Sequence, residues 1–326
     1  MGAITQNHPL LVIVGPTAAG KSALAIGLAS RWNGEIINCD SVQIYRGFNI
    51  GTGKVPPADR RGIPHHLLDI AEPSQTFTAG DFRREASRVL GEVRESGRLP
   101  IVVGGTGLYL RALLLGLFEG PERSEDLRER LSQIVKRHGR EFLHRMLVRM
   151  DQKAAGRIHP RDTPKIIRAL EVCLLARQPI TDMHERGRRA LEGFHVLKVG
   201  LNPHRTQLAE RIARRTDEMF RAGLVGEVRD MLKCHDAERI KPLGAIGYRE
   251  ARSVLTGEMT ESEAIRLVQT ATRQYAKRQM TWFQREKDVE WFGGFGDDAA
   301  IERRVSEWLA GRLQDSNCKP LRNLED

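Results

Sequence analysis

An eight-residue run near the start of the chain has glycines, a lysine and a serine at the spacing of a phosphate-binding loop, or P-loop. It consists of Gly15, Pro16, Thr17, Ala18, Ala19, Gly20, Lys21 and Ser22. The glycines allow backbone N–H groups to surround a polyphosphate at a helix N-terminus, the lysine adds a positive charge, and the serine hydroxyl can bind Mg²⁺. A glycine-rich turn that binds no ligand is the alternative. The run predicts a phosphate site but does not specify which phosphate.

A carboxylate follows the next short apolar run, at Asp40. The carboxyl ends of parallel strands meet at one edge of a sheet, so we expect Asp40 to lie near Lys21 and Ser22. There it could contact a metal ion, a leaving phosphate or the proton of a nucleophile. Alternatively, Asp40 only caps the turn that follows it.

Two further stretches could add to this site. The glycines of the turn Gly104-Gly105-Thr106-Gly107 either expose backbone amides and Thr106 to a ligand or serve the chain conformation alone. Arg211, Arg214 and Arg215 lie within about one helical turn, where they repel each other by a few tenths of a kcal/mol per pair. A bound diphosphate would remove that cost, whereas solvated arginines would need no ligand.

A helix expected over 261–285 interleaves basic and aromatic side chains, among them Arg273, Tyr275, Lys277 and Trp282. Basic groups bind a phosphate backbone, and aromatic rings stack on unpaired bases. This helix is therefore a candidate nucleic-acid surface.

The elements that must position these residues alternate between strand and helix. Apolar runs at 10–14, 35–40, 99–103 and 195–201 are expected strands, and helical segments separate them. This order predicts the α/β class, with a P-loop NTPase-like parallel sheet as the core. Strands are not expected between about 119 and 189, where charged helices over 124–138, 141–150 and 164–177 indicate an inserted all-helical subdomain.

Four segments follow from this organisation. We expect the first part of the core at 1–118, the helical insertion at 119–193, the second part of the core with C-terminal helices at 194–313, and a disordered polar tail at 314–326.

Composition narrows the class of partner and the compartment. The 326 residues carry a net charge of +10, which favours a polyanionic partner such as nucleic acid. The four cysteines are scattered without zinc spacing, as is typical of free thiols in a reducing compartment. The first residues lack the features of a secretion signal, and no apolar run approaches ~18 residues. We therefore expect a cytoplasmic protein without a membrane span.

Taken together and in this order, these stretches resemble the bacterial tRNA dimethylallyltransferases, also called tRNA isopentenyltransferases. The resemblance covers most of the chain, from the P-loop to the region of Trp282. It is carried by Gly15 to Ser22, Asp40 to Tyr45, Ile50-Gly51-Thr52, Pro64 to Asp69, Val103 to Tyr109, Arg168 to Val172, Ile246-Gly247-Tyr248 and Gln274 to Gln279.

The resemblance implies a prenyl transfer. The P-loop would hold the diphosphate of dimethylallyl diphosphate instead of ATP. The acceptor would be N6 of the adenosine at tRNA position 37, next to the anticodon, flipped out of its stack. Asp40 would be the general base, while Lys21, Arg215 and Ser22 with Mg²⁺ would stabilise charge on the departing diphosphate.

The resemblance also implies how tRNA is bound. The helical insertion and the basic surface would grip the anticodon arm, and the family precedent is a monomer with no implied membrane or protein partner. The tRNA-contacting residues would be Asp40, Ser41, Val42, Gln43, Thr106, Pro164, Lys165, Ile166, Ile167 and Arg168.

Three positions depart from the usual pattern of the family. Asn49 stands where Asp is usual, which puts a charge role there in doubt, and Gly53 replaces a common Ala. Ser22 replaces the more usual Thr but keeps the hydroxyl.

Three other functions remain open at this point. A P-loop small-molecule or nucleoside kinase would explain the P-loop, Asp40 and Mg²⁺, but not the basic insertion or the helix through 274–283. An adenylate isopentenyltransferase would not need the long insertion. A P-loop RNA-binding protein that hydrolyses nucleotide would need a second strand ending in paired acids, which the sequence does not offer.

Overall fold

The computed structural model describes residues 7–118, 120–185, 187 and 189–315. The chain divides into two compact units. One contains the residues up to Leu113 together with those from Glu192 onward, and the other is Leu114–Leu191. The insertion predicted at 119–193 begins five residues after the start of the second unit and ends two residues after its end.

A six-stranded sheet forms the centre of the first unit. Its strands are β1 (His8–Val14), β2 (Gly34–Asn38), β3 (His65–His66), β4 (Leu99–Val103), β5 (Phe194–Leu201) and β6 (Val289–Phe292). They are all parallel, in the order β3-β2-β4-β1-β5-β6. A parallel sheet is covered on both faces, which is why β1 and β4 are continuous apolar runs with every residue buried.

In the described ranges, thirteen helices surround the sheet or build the second unit. In chain order they are α1 (Lys21–Arg31), α2 (Ala79–Glu95), α3 (Gly107–Leu115), α4 (Glu125–His138), α5 (Arg140–Met150), α6 (Gln152–Arg157), α7 (Thr163–Ala176), α8 (Ile180–Glu185), α9 (Arg205–Arg221), α10 (Leu224–Cys234), α11 (Tyr248–Leu255), α12 (Glu261–Phe283) and α13 (Ala299–Asp315). Short 3₁₀ turns at Pro57–Arg60 and Lys241–Gly244 complete the described elements. None of the described helices is both long and apolar enough to cross a membrane.

The helix starts follow from local side-chain chemistry. At α2, the Thr78 hydroxyl accepts from the Asp81 N–H at 3.2 Å, and the Asp81 carboxylate accepts from the Thr78 N–H at 2.9 Å. This reciprocal pair is a capping box, which fixes where α2 begins. Thr260 and Glu263 form the same motif at the start of α12, which fixes where that long helix begins.

Two of the apolar cores in the described part of the first unit support the sheet. The first lies between α1, α13 and the sheet, and includes Leu24, Leu28 and Val305. The second packs the segment after β2 against α9 to α12, with Phe48 and Tyr248 fully buried and their rings 4.6 Å apart. The second core therefore supports the edge of the sheet at which β2 ends.

The second unit is built from α4 to α8 around a core that includes Leu131, Leu143 and Leu170. Asp151 joins two of its helices, because its carboxylate accepts from the N–H of Ala154 at 2.8 Å and from that of Thr181 at 2.9 Å. These bonds lower the pKa of Asp151 although burial opposes them. The carboxylate therefore stays charged and keeps α6 and α8 together.

Most of the predicted elements form, and the differences lie in short segments. The four predicted strands become β1, β2, β4 and β5, whereas β3, β6, α6, α8, α10 and α11 were not predicted, and α13 was expected only as one of unspecified C-terminal helices. Gln314 and Asp315, assigned to a disordered tail, instead end α13, and the rest of that tail lies outside the described residues.

Candidate active site

The P-loop connects β1 to α1 and lies at the carboxyl edge of the sheet. At Gly15, φ is +144° and an added Cβ would lie 2.8 Å from the Leu201 carbonyl oxygen on the neighbouring strand. Gly20 caps α1 at a φ of 82°, in the left-handed region that favours glycine. Both glycines are therefore required by the backbone itself.

Residues Thr17 to Ser22 line a pocket of about 290 Å³, here called the P-loop pocket. Gly15 and Pro16 are buried beneath it. The Pro16 carbonyl accepts a 2.7 Å hydrogen bond from Lys21 Nζ, so the ammonium group is held beside the loop. The rest of the lining includes Asp40, Gly104, Gly105, Arg215, Tyr275 and Gln279.

Asp40 faces the P-loop pocket and also caps the turn after it. Its Oδ1 accepts from the N–H of Val42 at 2.9 Å and from that of Gln43 at 3.2 Å. No hydrogen bond from the described part of the chain reaches Oδ2. Both interpretations of Asp40 therefore apply: one oxygen fixes the carboxylate in place and the other is available to a ligand.

The three clustered arginines have different partners. Arg211 forms a bidentate pair with Asp297, with both N···O distances 2.7 Å. Arg214 is exposed and lies 3.8 Å from Glu218. Both Arg211 and Arg215 line the P-loop pocket, but Arg215 has no carboxylate partner among the described residues and donates to the Thr52 carbonyl at 3.2 Å, so its guanidinium is the better placed to meet a ligand anion.

The pocket is electropositive, and its cations are partly withdrawn from solvent. Burial lowers the pKa of Lys21 to about 8, with Asp40 opposing this shift and Arg215 adding to it. Burial also lowers the pKa of Arg215. Both shifts mean that the cations lack compensating negative charge, which a bound di- or polyphosphate would supply.

Gly104 and Gly105 are required because other groups approach them closely. A Cβ on Gly104 would lie 2.1 Å from the Cys39 carbonyl oxygen, and one on Gly105 would lie 2.1 Å from Gln279 Nε2. Thr106 Oγ1 accepts from the Ser41 N–H at 3.0 Å and lies 3.3 Å from the Ser41 hydroxyl. Thr106 thus braces the segment 40–43, and its hydroxyl is engaged with Ser41.

Gln279 links the P-loop to the turn 104–107. The sequence did not predict it as a site residue. Its Oε1 accepts from the Thr17 N–H at 2.7 Å, and its Nε2 donates to the Gly105 carbonyl at 3.0 Å. The side chain is buried on α12 between Ala276 and Phe283. An amide at a buried helical position was the available signal, since buried polar groups need partners.

The other residues of α12 divide between two faces. Arg273, Lys277 and Arg278 are exposed, as the candidate nucleic-acid surface requires. The aromatic rings are used elsewhere: Tyr275 lines the pocket, where burial raises its pKa to about 12, and Trp282 packs under the Arg111 guanidinium at 4.6 Å. The expectation that these rings stack on bases beside the basic groups is therefore not met on the exposed face.

Asn49 has a polar partner that explains an uncharged side chain at this position. The buried Lys54 ammonium donates to Asn49 Oδ1 at 3.1 Å and pairs with Asp69 at 2.6 Å. Asp69 supplies the negative charge, so Asn49 needs only to accept a hydrogen bond.

The predicted tRNA-contacting segment of the second unit opens α7. Pro164 and Lys165 are exposed, whereas Ile166 and Ile167 are buried in the core, where a nucleic acid cannot reach their side chains. Arg168 donates to the fully buried Glu171 at 2.7 Å and to the Pro121 carbonyl at 3.2 Å. Its guanidinium is therefore part of the internal structure of the unit.

Two side chains that line the pocket offer oxygen atoms suited to a cation. The Ser22 hydroxyl and the Asp40 carboxylate share the P-loop pocket. Within the described ranges, no three His, Cys, Asp or Glu side chains are grouped closely enough to hold a metal ion. A magnesium ion bound through one or two protein oxygens and ligand phosphates fits such a donor set.

A parallel sheet with a P-loop at the end of β1 and a carboxylate beyond β2 defines a P-loop α/β protein with a site for a phosphorylated ligand. The family model described as IPP transferase matches residues 43–286. This chain belongs to that family.

Similar proteins cover nearly the whole chain. A tRNA dimethylallyltransferase of Koribacter versatilis is 53% identical, over 91% of this chain and 96% of its own length. A tRNA dimethylallyltransferase of Solibacter usitatus is 48% identical, over 93% of this chain and 98% of its own length. The crystal structure of the full-length tRNA isopentenylpyrophosphate transferase of Bacillus halodurans superposes with a TM-score of 0.69 at 38% identity, over 95% of this chain and 98% of that one. The structure of a eukaryotic dimethylallyltransferase acting on tRNA superposes with a TM-score of 0.78 at 27% identity. The match covers 97% of this chain and 81% of that one.

Proposed function

We propose that this protein transfers the dimethylallyl group of dimethylallyl diphosphate to N6 of the adenosine at tRNA position 37 and releases diphosphate. The similar proteins of Koribacter versatilis and Solibacter usitatus carry the name tRNA dimethylallyltransferase. The observation that carries the proposal is one pocket in which a carboxylate with an available oxygen faces Lys21 and Arg215. This pairing suits a reaction that removes a proton from an amine while an anion departs.

Asp40 is the proposed general base. As N6 attacks C1 of the allyl group, the C1–O bond breaks, the electron pair leaves with the diphosphate, and N6 must lose one proton. Oδ2 can accept that proton, because Oδ1 already accepts from Val42 and Gln43 and so fixes the direction of the carboxylate.

The P-loop and two cations are the proposed stabilisers of the leaving group. The backbone N–H groups at the start of α1, together with Lys21 and Arg215, present positive charge where the diphosphate gains negative charge. Burial makes these groups more effective, because fewer water molecules screen them. The low pKa of Lys21 would rise again when the anion binds.

Ser22 is the proposed protein ligand of Mg²⁺, through its hydroxyl in the P-loop pocket. A magnesium ion bound there with the diphosphate would neutralise part of its negative charge. The Ser22 hydroxyl serves for this as a threonine would.

Two parts of the chain are proposed to contact tRNA. Ser41, Val42 and Gln43 follow Asp40, the proposed general base. Thr106 holds the backbone of this segment in place through the Ser41 N–H. In the second unit, Pro164 and Lys165 are the exposed residues of the predicted segment. A cytoplasmic location belongs to the same proposal, since the tRNA substrate is found there and Cys39, Cys173 and Cys234 are free thiols.

The test is a direct assay of the product. The purified protein is incubated with Mg²⁺, dimethylallyl diphosphate and unmodified tRNA that reads codons beginning with U, and the nucleosides are weighed after digestion. We expect one adenosine heavier by one isopentenyl group. Parallel reactions replace the donor with ATP or the tRNA with AMP. Phosphate transfer from ATP without any prenylated nucleoside would overturn the proposal in favour of a kinase.

A further inference from the structure

The loop Asn49–Gly53 holds the guanidinium of Arg215. The Thr52 carbonyl accepts from Arg215 Nη2 at 3.2 Å and from Gln43 Nε2 at the same distance. The guanidinium also lies against Gly53, because a Cβ added there would lie 1.8 Å from Arg215 Nη2. The position of this loop therefore determines where the arginine can lie.

A carboxylate on α10 holds the loop. Glu227 Oε2 accepts from the N–H of Asn49 at 3.2 Å and from that of Ile50 at 2.9 Å, while Oε1 accepts from the Tyr248 hydroxyl at 2.6 Å. Consecutive backbone N–H groups thus converge on one side chain. Hydrogen bonds to a charged acceptor are about twice as strong as neutral ones, so the carboxylate is well suited to fix a loop without regular secondary structure.

Tyr248 in turn fixes Glu227. The ring is fully buried against Phe48, and burial beside the Glu227 charge raises the pKa of its hydroxyl above the usual range. The hydroxyl therefore stays protonated and remains a donor. Gly51 lies against the same ring, since a Cβ there would be 2.5 Å from a ring carbon of Tyr248.

Glu227 acts on Arg215 through the loop and not by direct pairing. Across the described residues no ion pair joins the two side chains, and the charges that perturb Arg215 are those of Asp40, Arg211 and Glu218. The connection runs from the carboxylate to the Asn49 and Ile50 amides, and from there to the Thr52 carbonyl and the guanidinium.

We propose that Glu227, held by Tyr248, is a positioning residue that sets the Arg215 guanidinium for the diphosphate by fixing the loop Asn49–Gly53. This rests on the proposed function, in which Arg215 binds the diphosphate of the donor. Neither Glu227 nor Tyr248 needs to touch substrate for this role.

The test measures the binding of inorganic diphosphate with Mg²⁺ by calorimetry, alongside donor kinetics at saturating tRNA. Glu227→Gln removes the charge but keeps one acceptor oxygen, and we expect about tenfold weaker diphosphate binding. The kcat/KM for the donor should fall equally, with KM for tRNA within about twofold. Glu263→Gln is the matched control, because Glu263 also accepts from a backbone N–H, at 2.8 Å, and should leave the affinity unchanged.

A double-mutant cycle separates positioning from general stability. In an Arg215→Ala background, Glu227→Gln should change the diphosphate affinity by less than about twofold, because the group that it positions is gone. An equal loss in both backgrounds, or no loss in the wild-type background, would overturn the proposal. If Glu227→Gln does not fold, Tyr248→Phe is judged by the same criteria, since it removes only the hydroxyl that holds Glu227.

The binding experiment also separates this proposal from the proposed function. Diphosphate affinity does not require transfer to tRNA. A coupled loss of affinity without any prenylated product would therefore leave the positioning role in place and overturn only the prenyl transfer.

Discussion

Arg215 in the first unit and Arg168 in the second were both predicted to serve function, yet they have different partners. Arg215 donates to a backbone carbonyl and faces the P-loop pocket. Arg168 is bonded to Glu171, a carboxylate with no exposed surface that also pairs with Arg128 at 2.9 Å. The difference shows that a basic residue is available to an anionic ligand only where the fold supplies no carboxylate to neutralise it.

The same contrast holds for the surroundings of the two arginines. Burial alone would raise the pKa of Glu171, but its bonds with Arg128 and Arg168 lower it, so the charge of this buried carboxylate is balanced by the two arginines. In the P-loop pocket, the pKa of Lys21 is lowered to about 8 because burial is not compensated. The buried charge of Glu171 is paired within the protein, whereas the cations of the P-loop pocket can be neutralised further by a ligand anion.

Of the predicted changes, loss of the Asp40 carboxylate should have the largest effect on activity. Asp40→Asn keeps an Oδ1 acceptor for the Val42 and Gln43 amides, so the turn should survive while the proton acceptor is lost. We expect kcat to fall by roughly 10²-fold or more, with tRNA affinity nearly unchanged. Single-turnover kinetics and tRNA binding would measure the two effects. A variant with wild-type turnover would exclude Asp40 as the base.

Exchanging the two arginines for alanine compares the regions directly. Arg215→Ala should lower kcat/KM for the donor by about 30-fold, because a charged contact to the diphosphate is lost, with little change in stability. Arg168→Ala should instead lower the free energy of unfolding by about 2 kcal/mol, because Glu171 stays buried with one arginine fewer. Donor kinetics and urea denaturation of both variants provide the measurements. If both variants changed kcat/KM for the donor and the free energy of unfolding equally, the two arginines would not differ in role.

The parts of this site that sequence could reveal are those encoded locally. The P-loop is one contiguous motif, and β1 and β4 are apolar runs, so each is readable within a short window. Gln279 bonds to Gly105 across 174 positions, and Glu227 bonds to Asn49 across 178, so neither role has a local signature. β3 contains only two residues, too few for any periodic pattern.

The pH dependence of donor binding should reveal the uncompensated charge of Lys21. Since its pKa is about 8, raising the pH from 7 to 9 should remove most of its charge and weaken diphosphate binding by about tenfold. Stability should change in the opposite direction. The unfolded chain holds this proton up to the ordinary pKa of 10.5, so stability should rise between about pH 8 and 10.5.

A matched variant isolates this effect from other titrations. Lys21→Arg stays protonated over the whole range, so its diphosphate affinity should no longer decline between pH 7 and 9. Calorimetric titrations at several pH values would test both proteins. The same decline in the arginine variant would assign the pH dependence to another group.

The smallest expected effect comes from Gly53, which touches Arg215 without carrying any charge. A Cβ at this position would lie 1.8 Å from Nη2, so Gly53→Ala must displace the guanidinium, and the φ of +60° adds backbone strain. The far end of an arginine moves easily, so we expect only about a threefold lower kcat/KM for the donor. Gly62→Ala is the control for the strain alone, because Gly62 has a φ of +73° and open space around it. If the two variants lose the same activity, the loss comes from the backbone, and the placement of Arg215 tolerates a shift of its guanidinium.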